Sequence, residues 1–167
     1  MTVSRFPGYV YSEEEHPGTV GAHNHFVLTN PVGSGKVILI GGVFVSQTTA
    51  GAVAGAPPLR GYRATGVPSG GTLVDPADIG KTRSTLDDPV GEVRTEGASV
   101  TLGAAWFNSP AVQAIGAASA PFVHQIPAAL PGTDPITLYP GESTALRTDA
   151  GDTDQRWNIS IAWAEVG

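Results

Sequence analysis

The chain reads as an all-β protein: an antiparallel β-sandwich of jelly-roll type, with long ordered loops and an extended N-terminal arm. Three observations lead there. The 167 residues include 22 glycines and 14 prolines, about twice the usual share, so turns are frequent. The apolar runs are short, rich in Val and Ile, and bounded by Gly, Pro, Asn or Asp, which is the signature of strands. The segment "RWNISIAWAEV" alternates strictly, with Trp157, Ile159, Ile161 and Trp163 on one face and Asn158, Ser160, Ala162 and Ala164 on the other. A period of two over that length marks a half-buried strand that pins the core.

Taken in order, residues 1–18 form the arm, with Phe6, Tyr9 and Tyr11 ahead of the acidic run Glu13–Glu15, and prolines at 7 and 17 that bar a helix. Residues 19–167 form one sandwich domain. Its first strands are "AHNHFVLTN" and "KVILIGGVFVSQTT". In the second, Val37, Ile38, Leu39 and Ile40 are all apolar, which predicts a strand buried on both faces, and Gly41-Gly42 marks a bulge or bend. Residues 50–92 read as loops around a short strand near Arg60–Thr65. A strand follows near Ser99–Trp106, and Ser109-Pro110 offers a cap and first residue for a brief helical turn. "DPITLYPGESTALRT" is strand, turn, strand, with Tyr139-Pro140-Gly141-Glu142 suited to a type II turn.

Composition excludes several functions. There is no cysteine, so disulfides, thiolate zinc sites and cysteine nucleophiles are ruled out. A net charge of −6 with only two lysines opposes a nucleic-acid surface. The longest apolar run, Val37 to Val45, is far below the ~20 residues that span a bilayer, and the first residues lack a signal-peptide core. No membrane association and synthesis in a cytoplasm are therefore expected. Charged residues are 14% of the chain against about 25% in typical domains. Low charge and scarce lysine fit a surface partly covered by other protein.

The stretch Asn30-Pro31-Val32-Gly33-Ser34-Gly35-Lys36-Val37 resembles a phosphate loop only superficially. The first glycine of that motif falls on Asn30, the magnesium-binding hydroxyl falls on Val37, and a β run follows where a helix is required. Asn-Pro starts a turn and the glycines supply positive φ, so the stretch reads as a hairpin loop. His23 and His25 alternate on one strand face, with His16, His124 or a carboxylate as conceivable third metal ligand, but no diagnostic spacing supports a metal site. Asp149, Asp152 and Asp154 lack the spacing of a calcium loop, and Asp87-Asp88 reads as solvated charge. No nucleophile elbow or catalytic pair stands out. No enzymatic activity and no cofactor are expected. The adjacent Trp106 and Phe107 point to opposite strand faces, one inward and one as a subunit-interface anchor, with a carbohydrate-stacking platform as the alternative.

Four pieces in order, "LTNPVGSGKVILIGGVFVS", "DPVGEVRTEGASVTLGAAWF", "LYPGESTALRT" and "DTDQRWNISIAWAEV", resemble small accessory virion proteins of tailed bacteriophages. Those are β-sandwich proteins that coat capsids or build head and tail appendages. The resemblance implies a structural virion protein located in the particle, with capsid decoration or cement as the leading role and the major capsid protein or another virion protein as partner. It implies no catalytic residues. The expected anchors are Phe6, Tyr9, Tyr11, Trp106 and Phe107, and the expected form is a homo-oligomer, a trimer with strand 37–45 facing a neighbouring copy. A receptor- or glycan-binding appendage domain is the competing expectation.

Overall fold

The structure, a computed structural model, describes residues 8–17, 21–49, 59–108, 122–127, 136–149, 153 and 156–167. Phe6 and the helical turn expected after Ser109 lie outside them. The described chain is built from β1 (Gly8–Pro17), β2 (His23–Thr29), β3 (Val37–Thr49), β4 (Leu59–Ser69), β5 (Thr72–Leu73), β6 (Gly80–Lys81), β7 (Glu92–Thr95), β8 (Ser99–Asn108), β9 (Phe122–Pro127), β10 (Ile136–Leu138), β11 (Glu142–Thr148) and β12 (Arg156–Val166), plus a 3-10 turn at Pro76–Asp78. All strand pairs among the described residues are antiparallel. The first sheet runs β10–β3–β12–β1–β6, with β9 also on the outer edge of β3; the second runs β5–β7–β2–β11–β4–β8. The protein is an all-β antiparallel sandwich.

The core lies between the sheets. Trp157, Ile159, Ile161 and Trp163 of β12 are all buried there, with Ile38, Ile40, Val43 and Val45 of β3 and Tyr9 of β1. Phe26, Leu28, Leu59, Val93 and Leu146 face them from the second sheet. The alternation of β12 is thus realised residue by residue, because a period-two strand can bury one face only.

Residues 8–17, read as an arm, are extended, and they are woven into the first sheet. β1 pairs with β12 from Gly8↔Ala164 to Pro17↔Arg156 and with β6 on its other side. An extended segment with aromatics every second residue completes a sheet as readily as it wraps a partner, and here Tyr9, Tyr11 and Glu13 sit opposite Trp163, Ile161 and Ile159.

β3 is not buried on both faces. Its register against β12 slips between Ile40↔Trp163 and Gly42↔Ala162, so Gly41 is a bulged residue and the inward parity changes from Ile38 and Ile40 to Val43 and Val45. The bulge expected at the glycine pair switches which parity faces the core, while Val37 and Leu39 before it and Phe44 after it stay on the outer face, part-buried or exposed. The strands that are buried on both faces are β2 and β11. Phe26, Leu28 and Leu146 enter the main core, while Val27 and Ala145 form a second cluster with Ala98, Val100 and Leu102.

That second cluster exists because the second sheet rolls up. β7 and β8 sit four strand spacings apart in its order, about 19 Å if flat, yet only residues 96–98 join them, and three residues cannot bridge that gap. The pairs Ser69↔Ser99 and Thr72↔Thr95 lie on one continuing antiparallel ladder, so β4–β5 and β7–β8 form a single ribbon folded over the outer face of β2 and β11. It turns a corner where Gly70, Gly71, Glu96 and Gly97 all have positive φ. The strand expected near Arg60–Thr65 is accordingly longer, and residues read as loop belong to this ribbon.

The "NPVGSGK" stretch is not a hairpin. β2 belongs to the second sheet and β3 to the first, so residues 30–36 arch from one layer to the other. Gly33 and Gly35 do carry positive φ, as the turn reading requires. The same crossing occurs at Tyr139-Pro140-Gly141-Glu142, a β-turn closed by Glu142 N–H to the Tyr139 carbonyl at 2.9 Å, with Gly141 at φ 90°; β10 and β11 on either side lie in different sheets. Local sequence specifies a turn, but which sheet receives the next strand is a tertiary matter.

Candidate interaction surface

Of the aromatic residues expected as anchors, the three with described side chains, Tyr9, Tyr11 and Trp106, lie in or pack against the core. Tyr9 is only 6% exposed, its ring lies 5.8 Å from that of Trp163, and its hydroxyl donates to the Asp87 carbonyl at 3.2 Å. Burial first, then the charges of Glu165, Asp87 and Asp88, push its pKa up. Tyr11 is half-buried against the core, and burial followed by Glu13 raises its pKa to about 12. Trp106 packs on the core and donates from Nε1 to Thr144 Oγ1 at 2.9 Å. Phe107 lies on β8 opposite Gly61; its side chain, like Phe6, is outside the described residues.

No group of three or more His, Asp or Glu side chains that could hold a metal ion occurs among the described residues. His23 and His25 do share a locality, with rings 5.1 Å apart and nearly perpendicular. His25 is fully buried, with Nε2 3.0 Å from Thr148 Oγ1. The side chains of His16 and His124 lie outside the described residues. Asp149 is held by Arg60 at 2.7 Å, Arg147 at 3.0 Å and Tyr62 at 3.1 Å. Partial burial pushes its carboxyl up, but the hydrogen bonds from Arg147 and Tyr62 and the two arginine charges prevail and leave it below the ordinary value. Two guanidinium groups already neutralise this carboxylate, which makes it a poor calcium ligand. Asp152 and Asp154 lie outside the described residues. Lys36 donates to the Gly167 carbonyl.

The exposed apolar groups lie elsewhere. At one end of the sandwich, the 30–36 arch, the 139–142 turn, the far part of β4 and the start of β7 enclose a groove of about 200 Å³. Val32 and Val67 form its rims and are 81% and 86% exposed; Pro31, Gly66, Pro68 and Gly141 continue the apolar wall, with Thr29 and Glu92 at its floor and edge. Tyr139, in the same turn as Gly141, is 59% exposed.

Asn30 ties the two arches of the groove together. This residue is fully buried. Its Nδ2 donates to the carbonyls of Lys36 at 2.8 Å and Leu138 at 2.9 Å, and its Oδ1 accepts from Ser34 Oγ at 2.6 Å. Its backbone N–H donates to the Glu142 carbonyl at 2.9 Å, and its carbonyl accepts from Gly141 at 2.7 Å. All three N–H donors of Asn30 and one lone pair on each of its two oxygens are engaged. Gly141 is required beneath Val32, since a Cβ there would lie 3.3 Å from Val32 Cγ2 on a backbone of positive φ.

Sequence reasoning missed Val32 and Val67. The available signal was a single branched apolar residue set between turn formers, "NPVGS" and "TGVPS", where a polar residue would serve the turn equally well. Comparison with protein-family models, with curated proteins and with solved structures finds no match to this chain.

Proposed function

We propose that this protein acts by docking rather than by catalysis, as a decoration or cement protein of a tailed-phage head that grips the major capsid protein. The groove walled by Val32 and Val67 carries the docking reading. Two branched apolar side chains more than four-fifths exposed on a hydrogen-bonded frame gain from being covered, at roughly 25 cal/mol per Å² of apolar surface removed from water. The volume matches one or two inserted apolar side chains and falls below the ~300 Å³ at which small-molecule sites begin. Among the described residues its lining holds no aromatic ring, which a sugar-stacking platform would need, so a protein partner is favoured over a glycan. The phage setting rests on the resemblance of the four sequence pieces described above.

The test is co-sedimentation of the purified protein with capsid shells, comparing wild type with the double variant Val32→Asp, Val67→Asp. Wild type pellets with the shells and raises their rupture temperature, and the variant binds at least tenfold more weakly. Retention by cells or glycans with no affinity for shells would overturn the cement reading.

A further inference from the structure

The outer face of the first sheet differs from an ordinary solvated sheet face. On its three central strands the outward described residues between the strand ends are Gly8, Val10 and Ser12 on β1, Val166, Ala164, Ala162, Ser160 and Asn158 on β12, and Val37, Leu39, Phe44 and Ser46 on β3, by their registers against inward partners. None is charged. Charges sit at the strand ends, with Lys36 before β3 and Glu14 and Arg156 at the opposite end. Solvated antiparallel faces are normally polar and charged, and loss of charge is the compositional mark of an interface centre. Phe44 projects from this face, 40% exposed, and Val10 is 37% exposed. Beside Phe44 runs a low strip in which Val10, Ala162 and Gly42 stand in one row and Ala164 and Leu39 in the next, bounded at Gly8 by the Thr82 side chain, 3.1 Å from where a Cβ on Gly8 would stand.

We propose that this face binds a second copy of the same chain, sheet against sheet about a two-fold axis, with Phe44 of each copy lying over the Gly–Ala strip of the other. Three observations favour a copy over a foreign partner. Each chain carries a net charge of −6, so two copies repel except through a surface without charge, and this face is one. The face bears both a knob and the shallow strip that receives it, which is the self-complementarity an isologous contact demands. Three strands across and eleven residues long, it measures about 14 Å by 35 Å, so two copies bury roughly 1,000 Å² in total, at the lower bound of specific interfaces. This inference does not depend on where the protein works, and the groove of Val32 and Val67, made of other elements, remains open in the pair.

The experiment is sedimentation equilibrium on the full chain across concentration and salt, for wild type, Phe44→Glu and Ala162→Arg, with far-UV circular dichroism on each to confirm the fold. Wild type is expected as a dimer whose association is unchanged or strengthened by salt, and both substitutions are expected to weaken it at least a hundredfold. A second measurement guards against misfolded variants. Because the chain has no cysteine, Ser46→Cys carries a single spin label, and dipolar coupling between copies is expected to vanish on dilution with unlabelled protein. A monomeric wild type, a species of three copies or more, association that collapses in salt, a dimer indifferent to both substitutions, or no coupling from position 46 would each overturn the proposal.

Discussion

Asn30 illustrates how one side chain holds two turns. Its carboxamide caps carbonyls from both β3's approach and β10, and its Oδ1 accepts from Ser34, so Asn30→Ala leaves two carbonyls and a hydroxyl to find other partners. A buried polar group stripped of its partner costs about 1–3 kcal/mol, and we expect a stability loss of at least about 2 kcal/mol in urea unfolding. Asn30→Asp should be worse at neutral pH, since a carboxylate donates nothing and faces carbonyl oxygens. Equal stability of wild type and both variants would contradict the staple. Tyr11 makes a pH-dependent contribution. Its folded pKa, about 12, lies above the ordinary 10.0, so the folded state keeps its proton when the unfolded state has lost it. Stability from this group is fully present below pH 10 and is lost as pH rises from 10 towards 12. Ultraviolet titration of the phenols should show a component ionising near 12 that Tyr11→Phe removes.

At the scale of elements, the corner of the rolled ribbon depends on glycine. A Cβ on Gly71 would lie 2.3 Å from the Thr95 carbonyl oxygen and 2.9 Å from Ala98 Cβ, on a backbone of φ 63°. The obstacle is backbone, which cannot rotate away. Gly71→Ala should therefore cost at least about 2 kcal/mol, and hydrogen exchange should show β5 and the start of β8 losing protection before the first sheet does. Uniform loss of protection would mean the corner is not a local hinge of stability. Thr72 Oγ1 to Glu96 Oε2 at 2.6 Å and Gly97 N–H to the Asn24 carbonyl at 3.0 Å fasten the same corner. Glu165 plays a comparable part on β12: buried at 8% exposure, it accepts from the amides of Val90 and Gly91 and from Trp163 Nε1, and so ties the 82–91 segment to the first sheet.

For the molecule as a whole, the interior and the surface make separable predictions. Val32 and Val67 touch solvent over most of their area, so the double aspartate variant should unfold within about 0.5 kcal/mol of wild type while losing its partner. A large loss of stability would instead make those residues structural. Three aromatic residues behave oppositely: Tyr9, Trp157 and Trp163 are core, while Phe44 and Tyr139 are exposed among the described residues. Val32 and Val67 are far more exposed than either ring, which is why the apolar groove rather than a ring carries the docking reading.

Much of the fold was legible in the chain itself, and the reason is periodicity. The alternation of β12, the bulge at Gly41, the turn at 139–142 and the positive φ of Gly33 and Gly35 are local consequences of side-chain size and backbone freedom, and each holds in the structure. Partner choice was not legible. Whether β3 follows β2 in one sheet or crosses to the other, whether residues 8–17 join a sheet, and whether 59–73 rolls with 92–108 over the outer face all depend on which apolar surface each segment finds to cover. That contest is settled between residues far apart in sequence. The candidate groove belongs to the second kind: Val32, Val67 and Gly141 become neighbours only because two arches cross between the layers at one end and are locked there by a single buried asparagine.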